Sequence, residues 1–196
     1  MRKTLYLKFL LAYLIFGFFG FIVVASFGSS MTLEHMKREK ADTLYKEATL
    51  IANTYASDLY NNEASLETVK TQLDSLSVYL DSTIWIINPS GRMIMDTATP
   101  VDLDHPRIIE GFNATETAGS YYTIGTFYDS FEGEMLSVYA PITSNFKVRG
   151  YVVIHTAMAS LRSTSESLLS ISYIILVILF LLSLICLLYT SPSPRD

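Results

Sequence analysis

The sequence predicts an α+β membrane protein, in which two transmembrane helices flank an antiparallel sheet domain with long N-terminal helices. Three observations predict it. Ile171 to Leu188, ISYIILVILFLLSLICLL, is an apolar run without a charge, about what a helix needs to cross a hydrocarbon core roughly 30 Å thick. A second such run occupies Phe9 to Gly28. Between them the hydrophobic period changes from helical spacing to β-branched and aromatic runs punctuated by turn residues.

The chain has 196 residues, 50% of them hydrophobic, and a formal net charge of −5. Without the two spans, what remains is near the size of one domain. From Met31 to Leu168, eighteen Asp and Glu stand against ten Lys and Arg. That balance lacks the basic footprint of nucleic-acid binding. Cys186 is the only cysteine, which excludes a disulfide within the chain and a Cys-based metal site.

Residues 1–8 are the expected cytoplasmic N-terminus and 9–28 the first span. Its apolar run is longer than the roughly 7–15 residues of a signal peptide. An uncleaved anchor is therefore expected, with cleavage near Ala25 and Ser26 as the alternative. The positive-inside rule places Arg2, Lys3 and Lys8 in the cytoplasm. Lys37, Arg38 and Lys40 follow closely on the other side, but long loops translocate largely regardless of charge. The segment 31–168 is thus expected outside the cytoplasm. Gly17, Gly20 and Gly28 lie in or at the end of the first span, where small residues permit close helix contact.

Met31 to Tyr60 reads as a long helix, with Leu44, Ala48, Ile51, Tyr55 and Leu59 on one stripe at spacings of three and four. Glu63 to Leu80 repeats the pattern with Leu66, Val69, Leu73, Leu76 and Leu80. Thr83 to Ile87 then reads as a strand, Asn88-Pro89-Ser90-Gly91 as a turn, and Arg92 to Thr97 as the opposing strand. Ala98 to Ser120 is loop-rich, with one short helical turn expected at Arg107 to Glu110. Three strands follow, Tyr121 to Phe127, Glu134 to Ile142 and Lys147 to Thr156, with turns at Asp129 to Gly133 and Thr143 to Asn145. Ala157 to Ser170 returns to helical period, with Met158, Leu161 and Leu168 inward, and leads into the second span at 171–188.

The helix carrying EKADTLYKEATLIANTYA, the hairpin WIINPSGRMIMDT and the passage GYVVIHTAMASL between two spans resemble the extracytoplasmic sensor regions of bacterial sensor histidine kinases. The resemblance implies a PAS-like, or single-Cache, domain: about five antiparallel strands with the long helices on one side. It implies a homodimer in the cell membrane, sensing an unidentified ligand or protein and signalling to a response regulator. It also implies a linker, a phospho-accepting helix pair and an ATP-binding domain after the second span, so ATP and Mg belong to domains outside this sequence and no catalytic residue carries over. The same sensor can drive a chemoreceptor coiled coil or a cyclic-dinucleotide enzyme, or stand alone as an anchored binding protein. The tail Cys186 to Asp196, CLLYTSPSPRD, resembles an in-frame translation of a sequencing adapter. The biological sequence is then expected to break off at about Ile185, inside an incomplete second span, with 186–196 derived from the adapter; a genuine Ser/Pro tail is the alternative.

Candidate site residues are few. Asp102, Asp104 and His105 form one compact group of metal-ligand types, although a solvated loop bounded by Pro100 and Pro106 is the favoured reading. Arg92 and Arg107 are candidates for an anionic ligand, with ordinary surface charge as the bland reading. His35 and His105 lack the sequence context of a phospho-acceptor. His155 falls within a strand and is expected to be a packed or edge residue.

Overall fold

The computed structural model describes residues 2–60, 64–100, 107–113 and 120–189. The chain forms two compact units, Lys37–Leu161 and the pair of segments Met1–Met36 and Arg162–Asp196.

In the first of these, α1 (Arg2–Ile51) gives way to a π-helical turn (Ala52–Ala56) and the short α2 (Ser57–Tyr60). A continuous α-helix was the expectation for Met31 to Tyr60. The extra residue of the π turn moves the inward face by one position. Ala52 and Ala56 are fully buried, while Tyr55 and Leu59 are only partly so. Two alanines let the helix backbone approach β4 closely. Helix α3 (Leu66–Leu80) starts at Ser65, whose Oγ accepts from the Thr68 amide at 3.2 Å, an N-cap bond. It ends at Asp81 in the left-handed region, φ 50°, and Lys40 Nζ donates to the Leu80 carbonyl at 3.4 Å.

Five strands follow: β1 (Thr83–Ile87), β2 (Met93–Asp96), β3 (Tyr122–Gly125), β4 (Met135–Ser144) and β5 (Lys147–Ala157). They form one antiparallel sheet in the order β2-β1-β5-β4-β3. β3, β4 and β5 are the expected meander, and β1 closes onto β5 rather than onto β3. This is the antiparallel PAS-like arrangement that the resemblance implies.

The pleat divides the core in two. Ile84, Ile86, Leu136, Val138, Ala140, Ile142, Val152 and Ile154 face Leu44, Ala48, Ile51, Val69 and Leu73 of the helices. Each of the Val, Leu and Ile side chains contributes about 1.5–3 kcal/mol by leaving water. Trp85, Ile87, Met93, Tyr139 and Val153 face the opposite way. β1 is therefore buried on both sides, which explains its unbroken apolar run.

Four further expectations are corrected. The β4–β5 turn is Asn145-Phe146 rather than Thr143 to Asn145, because β4 runs on to Ser144. Arg107 to Glu110 forms no helical turn; Ile108 pairs with Arg92 in a β-bridge, because the Met93 amide donates to the Arg107 carbonyl and the Ile109 amide to that of Gly91, both at 2.9 Å. β3 ends at Gly125, since residues 127–129 turn left-handed. Leu168 is 47% exposed rather than inward; Met158 and Leu161 are buried as expected.

The other unit is built from parts of α1 and α4 (Met158–Tyr189), which among the described residues are two helices long and apolar enough to cross a membrane. Their rings interlock: Tyr13 stacks on Phe180 at 5.1 Å, and Tyr13 Oη donates to the Phe180 carbonyl at 3.2 Å. The Phe180 ring fills the space where a Cβ on Gly17 would stand.

Candidate functional site

The sheet face turned away from the helices carries the unusual chemistry. Trp85 on β1 and His155 on β5 share this face, and the rings of Phe127 and Phe131 close over them. Centroid separations are 4.3 Å for Trp85–His155, 4.6 Å for Phe127–His155, 4.8 Å for Phe131–His155 and 5.0 Å for the stacked pair Trp85–Phe131. Together they make a box of four rings from three separate stretches of chain.

Two polar atoms of these rings are stranded. Trp85 Nε1 and His155 Nε2 are buried without a hydrogen-bond partner among the described residues. Such a group costs about 1–3 kcal/mol when left unpaired. The other imidazole nitrogen, Nδ1, lies 2.8 Å from the Oγ of Ser137, its registered partner on β4. Burial strips water from the imidazole and, with the positive charge of Arg107 nearby, lowers its pKa to about 3. His155 is therefore neutral at any physiological pH.

The wall above the rings is strained. Phe127, Tyr128 and Asp129 have φ of 45°, 53° and 54°, a run of left-handed residues with no glycine among them. Each costs roughly 1–2 kcal/mol relative to an ordinary conformation. The turn is held by Ser130 and Phe131 amides donating to the Thr126 carbonyl at 3.1 Å, and by Thr126 Oγ1 donating to Asp129 Oδ1 at 3.1 Å. Strain of this kind gathers where a segment clamps or switches.

Arg107 lies at the rim. Its guanidinium carbon is 5.4 Å from the Trp85 ring centroid and Nη2 donates to the Ser130 carbonyl at 3.3 Å. Arg92 is exposed and meets the Arg107 segment through the bridge to Ile108. The structure thus brings the segments of Arg92 and Arg107 together at an isolated bridge, and it is Arg107 that lies against the Trp85 ring. Gly91, φ +81°, lets this segment close in: a Cβ there would stand 2.8 Å from the Ile109 carbonyl oxygen. An open depression of about 420 Å³ has Val78, Asp81, Thr83, Met135 and His155 among its lining residues.

Asp102, Asp104 and His105 lie outside the described residues. Among those described, no group of three or more His, Cys, Asp and Glu is placed to hold a metal ion. His35 is exposed on α1. Sequence reasoning missed the ring box. The available signal was alternation, which puts Trp85 and Ile87 on one face of β1, and Val153 and His155 on one face of β5. The register that joins those faces, Trp85 opposite Val153, is not readable from either strand alone.

No protein-family model matches the chain, and neither does any curated protein. Among solved structures it is similar to the extracellular domain of vpHK1S-Z8, assigned as a histidine kinase, at 15% identity and a TM-score of 0.49, covering 68% of this chain and 57% of that one. It is similar to the sensor domain of the Vibrio cholerae histidine kinase DctB at 14% identity and a TM-score of 0.39, covering 84% and 60%. A third is the sensory domain of the Campylobacter jejuni chemoreceptor Tlp3 with isoleucine bound, at 9% identity and a TM-score of 0.42, covering 74% and 65%. The chain spans less than two thirds of the length of these structures.

Proposed function

We propose that this chain is the signal-sensing and membrane-spanning portion of a sensor histidine kinase. Its central domain lies outside the cytoplasm and its N-terminus inside. One observation carries the reading. The last strand of the sheet, β5, passes at Met158 directly into α4, which stays helical through an apolar stretch long enough to span a bilayer, and α1 leaves the first span to enter the same helical core. Both connecting segments are helical.

Such continuity suits a population shift. A ligand that binds one packing of a dimer better than another moves the equilibrium by its differential affinity alone. The displacement passes down α4 as a small slide or rotation, because packed interfaces switch rather than bend. ATP, Mg and the response regulator belong to the kinase domains beyond the second span.

The coding sequence past Ile185 in the source genome tests the output. A helix with His followed by an acid, then Asn- and Gly-rich ATP motifs, supports the kinase. Long heptads would instead make the parent a chemoreceptor, and a stop codon a stand-alone binding protein.

A further inference from the structure

We propose that the ring box is a binding site for a small, flat, uncharged molecule bearing a hydrogen-bond acceptor, which takes the place of Phe131 against the face of Trp85. The ligand class rests on the receptor reading for its purpose, but its argument is local. Trp85 is 1% exposed and His155 0%, and each belongs to the ring cluster and carries a buried nitrogen without a hydrogen-bond partner among the described residues. The Trp85 N–H donates only, so its partner must accept. His155 is neutral and can act as donor or acceptor, according to which way its bond with Ser137 runs.

The charge acting on His155 is that of Arg107, which disfavours a cation. An anion would lose its water on entry and meet neutral dipoles inside the box, while the Arg107 guanidinium stays at the exposed rim, engaged with Ser130. A neutral ligand loses least. Its flat face is set by what it replaces, since Phe131 lies 5.0 Å from Trp85 with 14° between the planes. The way in is the left-handed turn that carries Phe127 and Phe131. It is the strained wall of the box, and relaxing residues 127–129 releases strain as the wall opens.

The chain contains a single tryptophan, so its indole N–H resonance reports this site alone. The 196-residue chain in detergent micelles, labelled with ¹⁵N at the indole, is titrated with three isosteric probes: benzamide, benzoate and benzamidine. Benzamide is expected to shift the resonance saturably. His155→Phe should weaken that binding about tenfold, the equivalent of one hydrogen bond. Phe131→Ala, at a half-buried position outside the sheet, should strengthen it several-fold by vacating the ligand's place. A resonance unmoved by benzamide, tighter binding of benzoate or benzamidine, or weaker binding by Phe131→Ala overturns the proposal. Those failures leave the receptor reading intact if the domain proves extracytoplasmic. A cytoplasmic domain that binds benzamide defeats the receptor reading and leaves the site.

Discussion

His155 presents its imidazole edge-on to the Trp85 indole, with 4.3 Å between centroids and 67° between planes. The imidazole is wholly buried, and its pKa is lowered to about 3 by desolvation first and Arg107 second. The unfolded chain therefore binds a proton at His155 that the folded chain refuses, between pH 6.5 and about 3. Stability from this group is complete above pH 6.5 and falls as the pH drops through that window. The slope approaches about 1.4 kcal/mol per pH unit. Denaturant melts of the wild type and His155→Gln at pH 7, 5.5 and 4.5 check this. The difference between the two proteins should shrink steadily with acidification.

At the tip of the β4–β5 hairpin, Asn145 and Phe146 have φ of 52° and 60°, and the Phe146 ring is fully exposed. The ring loses no packing if removed, and Asn-Gly suits a two-residue turn with both central residues at positive φ. Phe146→Gly is expected to stabilise the domain by about 0.5–1 kcal/mol. Thermal melting should rise by a few degrees.

Gly91 shows the opposite case. A side chain there meets the Ile109 carbonyl at 2.8 Å and the Phe112 Cβ at 3.0 Å, at a φ of +81°. Gly91→Ala should cost about 1–3 kcal/mol and loosen the segment carrying Arg107. Chemical denaturation gives the magnitude, and Trp85 fluorescence reports the loosening.

In the unit of the two long apolar helices, Gly17 and Gly20 are distinguishable. Phe180 occupies the Cβ position of Gly17, while nothing lies within 4 Å of that of Gly20. Gly17→Val should part the two helices and Gly20→Val should not. Disulfide crosslinking between Phe21→Cys and Tyr173→Cys, whose native rings are 5.5 Å apart, measures the separation in a Cys186→Ser background. The yield should fall several-fold for the first variant only.

Local signals carried much of the fold. Thr83 to Ile87 was legible to the residue because β-branched and aromatic side chains fill it and turn residues close it. Met158 and Leu161 were legible from period. The π turn at Ala52–Ala56 was not, since Tyr55 and Leu59 keep helical spacing whether or not a residue is inserted. Nothing in the sequence around Phe127-Tyr128-Asp129 announces three left-handed residues, because the expected signal, glycine, is missing. The site was least legible of all. Trp85, Phe127, Phe131 and His155 meet only through strand register, and Arg107 reaches them through a bridge where a helical turn was expected.

The location of the sheet domain decides the account most directly. Thr143, exposed on β4, is replaced by Cys in a Cys186→Ser background, and intact bacterial cells are treated with a membrane-impermeant maleimide. The account expects Thr143→Cys to label before the inner membrane is permeabilised, and to the same extent afterwards. Labelling that appears only after permeabilisation would put the sheet in the cytosol and contradict the receptor.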